Sequence, residues 1–189
     1  MALDEEELKG EYDFILENID RDPILNYFRI YCFKGYKPFE IKEEKIRKAF
    51  NLLDEKKMEL EEIKKINADL ENEKYGVLRK VFSNLTELDG VGFPVASAIL
   101  HFKFPDVFAI IDRNVLKGIS CDDSSFKGEA IIPNLKNNPN GLDKNIRLYL
   151  KYLKFLYSKN KEEPQKTLRD IELPYFKKGK EKRRSRKKL

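Results

Sequence analysis

The sequence predicts an all-α protein, and three observations carry that prediction. Apolar residues recur at helical spacing along most of the 189 residues, glycine and proline punctuate the periodic stretches, and no run alternates apolar and polar residues like a half-buried strand. Leu8, Tyr12, Ile15, Leu16 and Ile19 form one stripe on a first helix, with Asp4 and Glu7 as a capping pair at its start. Residues 23 to 33 are dense in Ile, Leu, Tyr and Phe and read as a buried helix entered through Pro23, which Gly35 and Pro38 then break. Ile46, Ala49, Phe50 and Leu53 mark a further helix, and Leu60, Ile63, Ile66 and Leu70 another, both heavily charged on the outer face. Leu78, Val81, Phe82, Leu85 and Leu88 define a helix that stops at Asp89-Gly90. The next begins at Pro94, buries Ala96, Ile99 and Leu100, and ends near Phe104-Pro105.

Residues 122 to 145 are rich in Asp, Ser, Asn, Gly and Pro and read as an irregular excursion broken only by Ala130-Ile131-Ile132. Helical spacing returns with Ile146, Tyr149, Leu150, Leu153 and Leu156, and a last short helix follows Pro164 with Leu168, Ile171 and Tyr175. Beyond Phe176 apolar residues almost vanish, so residues 177 to 189 are expected to be a disordered basic tail.

Composition narrows the chemistry. Cys32 and Cys121 are the only cysteines, too few for an iron-sulfur cluster, and neither has a Cys or His partner at metal-ligand spacing, so no cofactor and no metal are expected. Both read as reduced, structural thiols. His101 is the single histidine, which excludes mechanisms that need two. The acidic start MALDEEELKG lacks the apolar core of a secretory signal, and the apolar run Val107 to Ile111 falls far short of the roughly 20 residues a membrane span requires. An intracellular protein with no membrane partner is expected, in cytoplasm and nucleoid or, in a eukaryote, the nucleus. Nine basic residues against one acidic lie between Lys177 and Lys188, while the first 20 residues carry eight acidic ones and a single lysine. Such polarity suits a polyanionic partner.

The stretch that speaks to function is LTELDGVGFPVASAILHFKFPDVFAIIDRNVL, residues 85 to 116. Gly90 and Gly92 flank Val91 in a turn between two helices, permit positive backbone dihedrals and offer no side chain to obstruct a close partner. The helix after the turn presents unpaired N–H groups and its positive dipole end, a cradle for a phosphate oxygen. Such contacts fix position on a nucleic-acid backbone without reading sequence. Asp112 ends an apolar run twenty residues after Gly92 and precedes Asn114-Val115-Leu116, the position of a helix N-cap.

With Leu88, Gly90, Val91, Gly92, Ala96, Ile99, Leu100, Asp112 and Val115, the chain resembles the helix-hairpin-helix DNA glycosylase superfamily. Residues 109 to 116 look most like archaeal 8-oxoguanine and adenine glycosylases, and residues 168 to 180 are similar to the ending of archaeal members. The resemblance implies a two-lobed fold, with residues 21 to 111 as one lobe and residues 1 to 20 packed on 112 to 176 as the other. It implies duplex DNA across the junction, and Asp112 as the catalytic carboxylate that stabilises positive charge on a deoxyribose as its base departs and orients the attacking water. The close match spans about thirty residues. It fails at the family's nucleophilic lysine, whose position is held by Pro94, so base removal would be monofunctional, without lyase activity.

Lys103 and Arg113 are placed to contact phosphates, or to form exposed salt bridges. Lys177, Lys178, Lys180, Lys182, Arg183, Arg184, Arg186, Lys187 and Lys188 form a nucleic-acid arm or a localisation-like address. Among Tyr27, Phe28, Tyr31, Phe33, Tyr36 and Phe39, core packing accounts for most. Tyr31 and Tyr36, beside Gly35, are the candidate walls of a base pocket. His101 is expected to cap or pack at the end of its helix. Beside the glycosylase reading stand two others: a non-catalytic, architectural DNA binder, and a protein or RNA interaction module in which the hairpin is only a turn.

Overall fold

The computed structural model describes residues 5–34, 42–65, 71–133, 135 and 140–186, and every regular element among them is helical. In chain order these are α1 (Glu5–Asn18), α2 (Pro23–Phe33), α3 (Glu43–Glu55) and α4 (Lys57–Glu61), which runs into a 3-10 turn at Glu62–Lys65. Then come α5 (Glu71–Thr86), α6 (Phe93–Lys103), α7 (Arg113–Ile119), a 3-10 turn at Ser124–Phe126, α8 (Gly141–Glu162) and α9 (Leu168–Arg186). The all-α expectation holds. No helix among the described residues is long and apolar enough to cross a membrane.

Local chemistry explains where the helices begin. Asp22 accepts the Ile24 and Leu25 N–H groups at 2.9 and 3.2 Å, and Pro23 occupies a first-turn position that needs no donor, so α2 starts sharply. Buried apolar faces then join into one contiguous core, with Ile15 of α1, Ile30 of α2, Leu53 of α3, Phe82 of α5, Leu100 of α6 and Leu153 of α8 all fully enclosed. Helix α1 lies on α2 and α6. An ion pair from Arg29 to Glu11 at 3.0 Å ties it to α2, and Tyr12 meets Arg169 of α9 across its ring face at 5.5 Å.

Three stretches differ from the sequence expectation. The helix expected around Leu60 and Ile63 is instead the short α4 and its 3-10 turn; both residues are buried, while Ile66 and Leu70 lie outside the described residues. Helix α8 starts at Gly141, within the expected excursion. There the Asn145 side chain pairs with both backbone groups of Ile132, at 2.8 and 3.0 Å, a tie that composition does not reveal.

The third difference is the tail. Residues 177–186 are not disordered but continue α9, because this helix is clamped against α7. A Cβ at Gly179 would overlap the backbone carbonyl of Asn114, and a Cβ at Gly118 would overlap that of Tyr175. Two glycines therefore let two helix backbones approach to a distance no other residue allows. Lys187 and Lys188 lie outside the described residues.

This contact yields a stability prediction. Gly179→Ala should lower the free energy of unfolding by about 1–3 kcal/mol through overpacking, although alanine is intrinsically the better helix former. Urea denaturation followed by circular dichroism measures it, and a stabilised variant would contradict the close crossing.

Candidate functional site

The site is built around residues 107–111, a buried segment outside regular structure between α6 and α7. Buried backbone of that kind must find partners for its polar groups: the N–H groups of Val107 and Phe108 donate to the Phe104 carbonyl, and side chains serve the groups that follow. The carbonyls of Val107, Phe108, Ala109 and Ile110 accept from Tyr157, His101, Tyr149 and Tyr152 in turn, those of His101, Tyr149 and Tyr152 at 2.7, 2.8 and 3.2 Å. The Ile110 and Ile111 N–H groups donate to Glu172 at 3.0 Å and to the Ser97 hydroxyl at 3.2 Å. Side chains from α6, α8 and α9 thus hold the segment that delivers Asp112.

Asp112 is the N-cap of α7. Its Oδ1 accepts the Asn114 and Val115 N–H groups at 2.7 and 2.9 Å, while Oδ2 lies 3.7 Å from the Lys34 ammonium. Lys34 closes α2, and only 11% of its side chain is exposed, against 18% for Asp112. Burial lowers the Lys34 pKa, opposed by the carboxylates of Asp112 and Glu172. Beside them Arg169 pairs with Glu172 at 2.5 Å, yet burial pushes the Glu172 carboxyl up to about 7.

The hairpin, the turn between α5 and α6, leans on α2 as well. Gly90 takes a φ of 77°, which suits glycine, whereas Gly92 has an ordinary φ of −85° and caps α6 without a side-chain bond. Both glycines are exposed. Val91 is not part of that surface: its side chain is buried with Phe93, whose ring stacks on Phe82 at 4.2 Å and locks the turn to the core. Tyr31 is likewise buried rather than a pocket wall, because its hydroxyl donates to the Gly90 carbonyl at 3.1 Å. Tyr31 and Lys34 are three residues apart, on one face of α2. One helical turn therefore touches the hairpin through Tyr31 and Asp112 through Lys34.

The remaining candidates divide. Lys103 is not available to a phosphate: it is 9% exposed and held by Asp20 and Asp54 at 2.5 and 2.6 Å. A cavity of about 410 Å³ surrounds it, lined also by Lys57, Glu61 and Asp106, and is acidic; Asp112 is not among its lining residues. Arg113 is exposed at the first turn of α7, and Lys177, Lys180, Lys182 and Arg183 are exposed on α9, while Lys178 is paired with Asp122. Arg184 and Arg186 belong to the same helix. Tyr36 lies outside the described residues. No group of His, Cys, Asp and Glu among the described residues could hold a metal ion, and Cys32 is exposed rather than buried.

Sequence reasoning missed Lys34 and Glu172. Lys34 shows only as one more lysine before a helix break; Glu172 carries a faint signal, an acidic residue directly after Ile171 on the apolar side of α9. No protein-family model, curated protein or solved structure matches the chain.

His101 is a packing residue with a fixed tautomer. A carbonyl can only accept, so Nδ1–H donates to Phe108 and Nε2 accepts from the Tyr12 hydroxyl at 2.7 Å. Burial lowers its pKa to about 4, so the folded protein resists a proton that the unfolded chain takes up near pH 6.5. Stability linked to His101 is therefore complete above about pH 6.5 and lost as pH falls towards 4, a contribution of about 3 kcal/mol. Melting temperatures across that window should fall less steeply in His101→Gln than in the wild type; parallel curves would refute the buried neutral imidazole.

Proposed function

We propose that this chain binds duplex DNA in the manner of a base-excision glycosylase, gripping backbone phosphates with its hairpin and presenting Asp112 to the sugar of a damaged or mispaired nucleotide. The observation that carries this reading is the single turn of α2 that ties Gly90 to Asp112, through Tyr31 and Lys34. A phosphate grip and a carboxylate must be held at fixed separation if one is to position substrate for the other. The reading takes the two-lobed arrangement with it: residues 21 to 111 on one side, and 1 to 20 with 112 to 176 on the other.

Electrostatics supports the same partner. Arg113 sits at the N-terminal end of α7, where the helix dipole disfavours a cation, so its placement is better suited to an external anion than to helix stability. The basic residues of α9 extend from the helix clamped to α7 and add further positive charge. Against catalysis, the acidic cavity lies around Lys103, and Asp112 already has an N-cap role. Those two facts favour the architectural DNA binder as the second reading.

A Cβ at Gly92 meets only Pro94 Cδ, at an ordinary 3.7 Å, and its φ is unstrained, so the position tolerates a side chain without unfolding. Gly92→Glu should accordingly retain the helical signal of the wild type and weaken duplex binding about tenfold or more, by placing a carboxylate where a phosphate would lie. Gel-shift titration at several salt concentrations measures this, with wild-type affinity falling steeply as salt rises. Undiminished binding by the variant would remove the hairpin from the interface.

Asp112→Asn separates enzyme from binder. Asparagine still caps α7, but it cannot supply the negative charge needed in the transition state. The variant should retain duplex affinity and lose base release by about a hundredfold or more. Single-turnover incubation with duplexes carrying uracil, 8-oxoguanine, hypoxanthine, alkylated purines or adenine opposite 8-oxoguanine, followed by alkaline cleavage, reads the result. Equal release by both forms would take Asp112 out of the mechanism, and tight binding without release on any lesion would establish the architectural reading.

A further inference from the structure

Helix α1 buries one face and exposes the other. At about 100° per residue, Glu6, Gly10, Asp13, Phe14 and Glu17 share the exposed side, with Lys9 at its margin. Phe14 is 40% exposed there, its ring 3.9 Å from the Arg29 guanidinium, and Leu25, one turn from Arg29 on α2, is 46% exposed. Gly10 is the unexpected member: a Cβ added to it meets no atom within 4 Å, so the packing of this chain gives no reason for a glycine. Glycine inside a helix is destabilising relative to alanine, and its missing side chain lets a neighbour come close. An acidic face with bared apolar side chains, and a notch one turn from Phe14, has the form of a docking seat.

The complementary surface is on the same chain but out of its own reach. Lys177, Lys180 and Arg183 are exposed on α9 at intervals of three, and Gly179, seated on Asn114, holds that half of the helix against α7. About 12 Å before Lys177 along the axis, Arg169 of α9 lies over the Tyr12 ring, on the inner side of α1. A helix fixed at both places cannot bring its basic half round to the outer side of the same α1. We propose that the outer face of α1 receives the basic half of α9 from a second copy of this chain.

Such a contact joins unlike surfaces, so it is heterologous, and each molecule offers one seat and one arm. Single exposed ion pairs contribute little. Here several form together around the apolar contact at Phe14, between helices already ordered before they meet, so the entropy of ordering a flexible tail is not lost. The pairing is one of protein with protein, and it stands whether or not duplex DNA also meets α9.

The test is sedimentation velocity of the full chain over a range of concentrations. At low salt the mean sedimentation coefficient should rise with concentration. At about 1 M salt, where the screening length is about 3 Å, it should return to that of the monomer. Asp13→Lys with Glu17→Lys removes the seat, and Lys177→Gln with Lys180→Gln and Arg183→Gln removes the arm. All five positions are exposed, so each variant should keep its helical signal while association weakens about tenfold or more. Mixed in equal amounts, the two variants hold one intact seat and one intact arm between them, and should form pairs that grow no further. Gly10→Gln fills the notch without changing charge and should weaken association by a similar factor. A wild-type chain that stays monomeric at low salt overturns the proposal. So does a mixture no better associated than its separate components, which would mean that like faces meet, and so does a Gly10 variant that associates like the wild type.

Discussion

The interaction on which the rest depends is the pairing of a buried, irregular stretch of backbone with side chains in place of a helix or sheet of its own. Residues 107–111 pass through the core, where an unpartnered carbonyl costs about 1–3 kcal/mol. Three tyrosines of α8, the imidazole and hydroxyl of α6 and the carboxyl of α9 meet that demand. Much of the buried polar chemistry follows from this one requirement. Ser97, His101 and Glu172, nearly or wholly enclosed, are there because an adjacent peptide group has no other partner. Since the segment ends at Asp112, whatever fixes its path also fixes the carboxylate.

A second constraint acts from the opposite side. Helix α2 donates through Tyr31 to the turn before α6 and sets Lys34 against the cap of α7. The two halves of the signature at residues 85 to 116 are joined directly where Ser97 accepts from Ile111 and His101 donates to Phe108. Helix α2 adds a second tie from outside that stretch. A buried cation beside a capping carboxylate is poor value as stabilisation alone, since desolvating two charges offsets most of their attraction.

Helices with a one-sided apolar stripe were legible in the sequence, because spacing alone determines which face is buried: Ile15, Phe50, Phe82 and Leu153 all lie in the core where their periodicity puts them. The N-cap at Asp112 was legible for the same local reason. Pairings between distant residues were not. Tyr31 reads as an aromatic beside a break and becomes a strut for Gly90, and Lys103 reads as an available cation but is enclosed by Asp20 and Asp54 from two other elements. The course of residues 177–186 was hidden because composition reports only the lack of apolar side chains. The clamp at Gly179 depends on having no side chain at all, which no hydrophobicity pattern records.

That clamp changes the character of the basic residues beyond it. On a free chain they would form a cloud of charge able to meet an anion from any direction, at the cost of the conformational freedom lost on contact. Carried on a helix seated against α7, they form a ruled array instead, advancing about 1.5 Å and turning about 100° per residue from a fixed origin. Its information lies in phase as well as in charge: Lys177 and Lys180, three residues apart, fall along one side, with Lys182 pointing elsewhere. A partner with regularly spaced charges would therefore encounter a surface with an orientation, set by two glycines, one of which sits between Lys178 and Lys180.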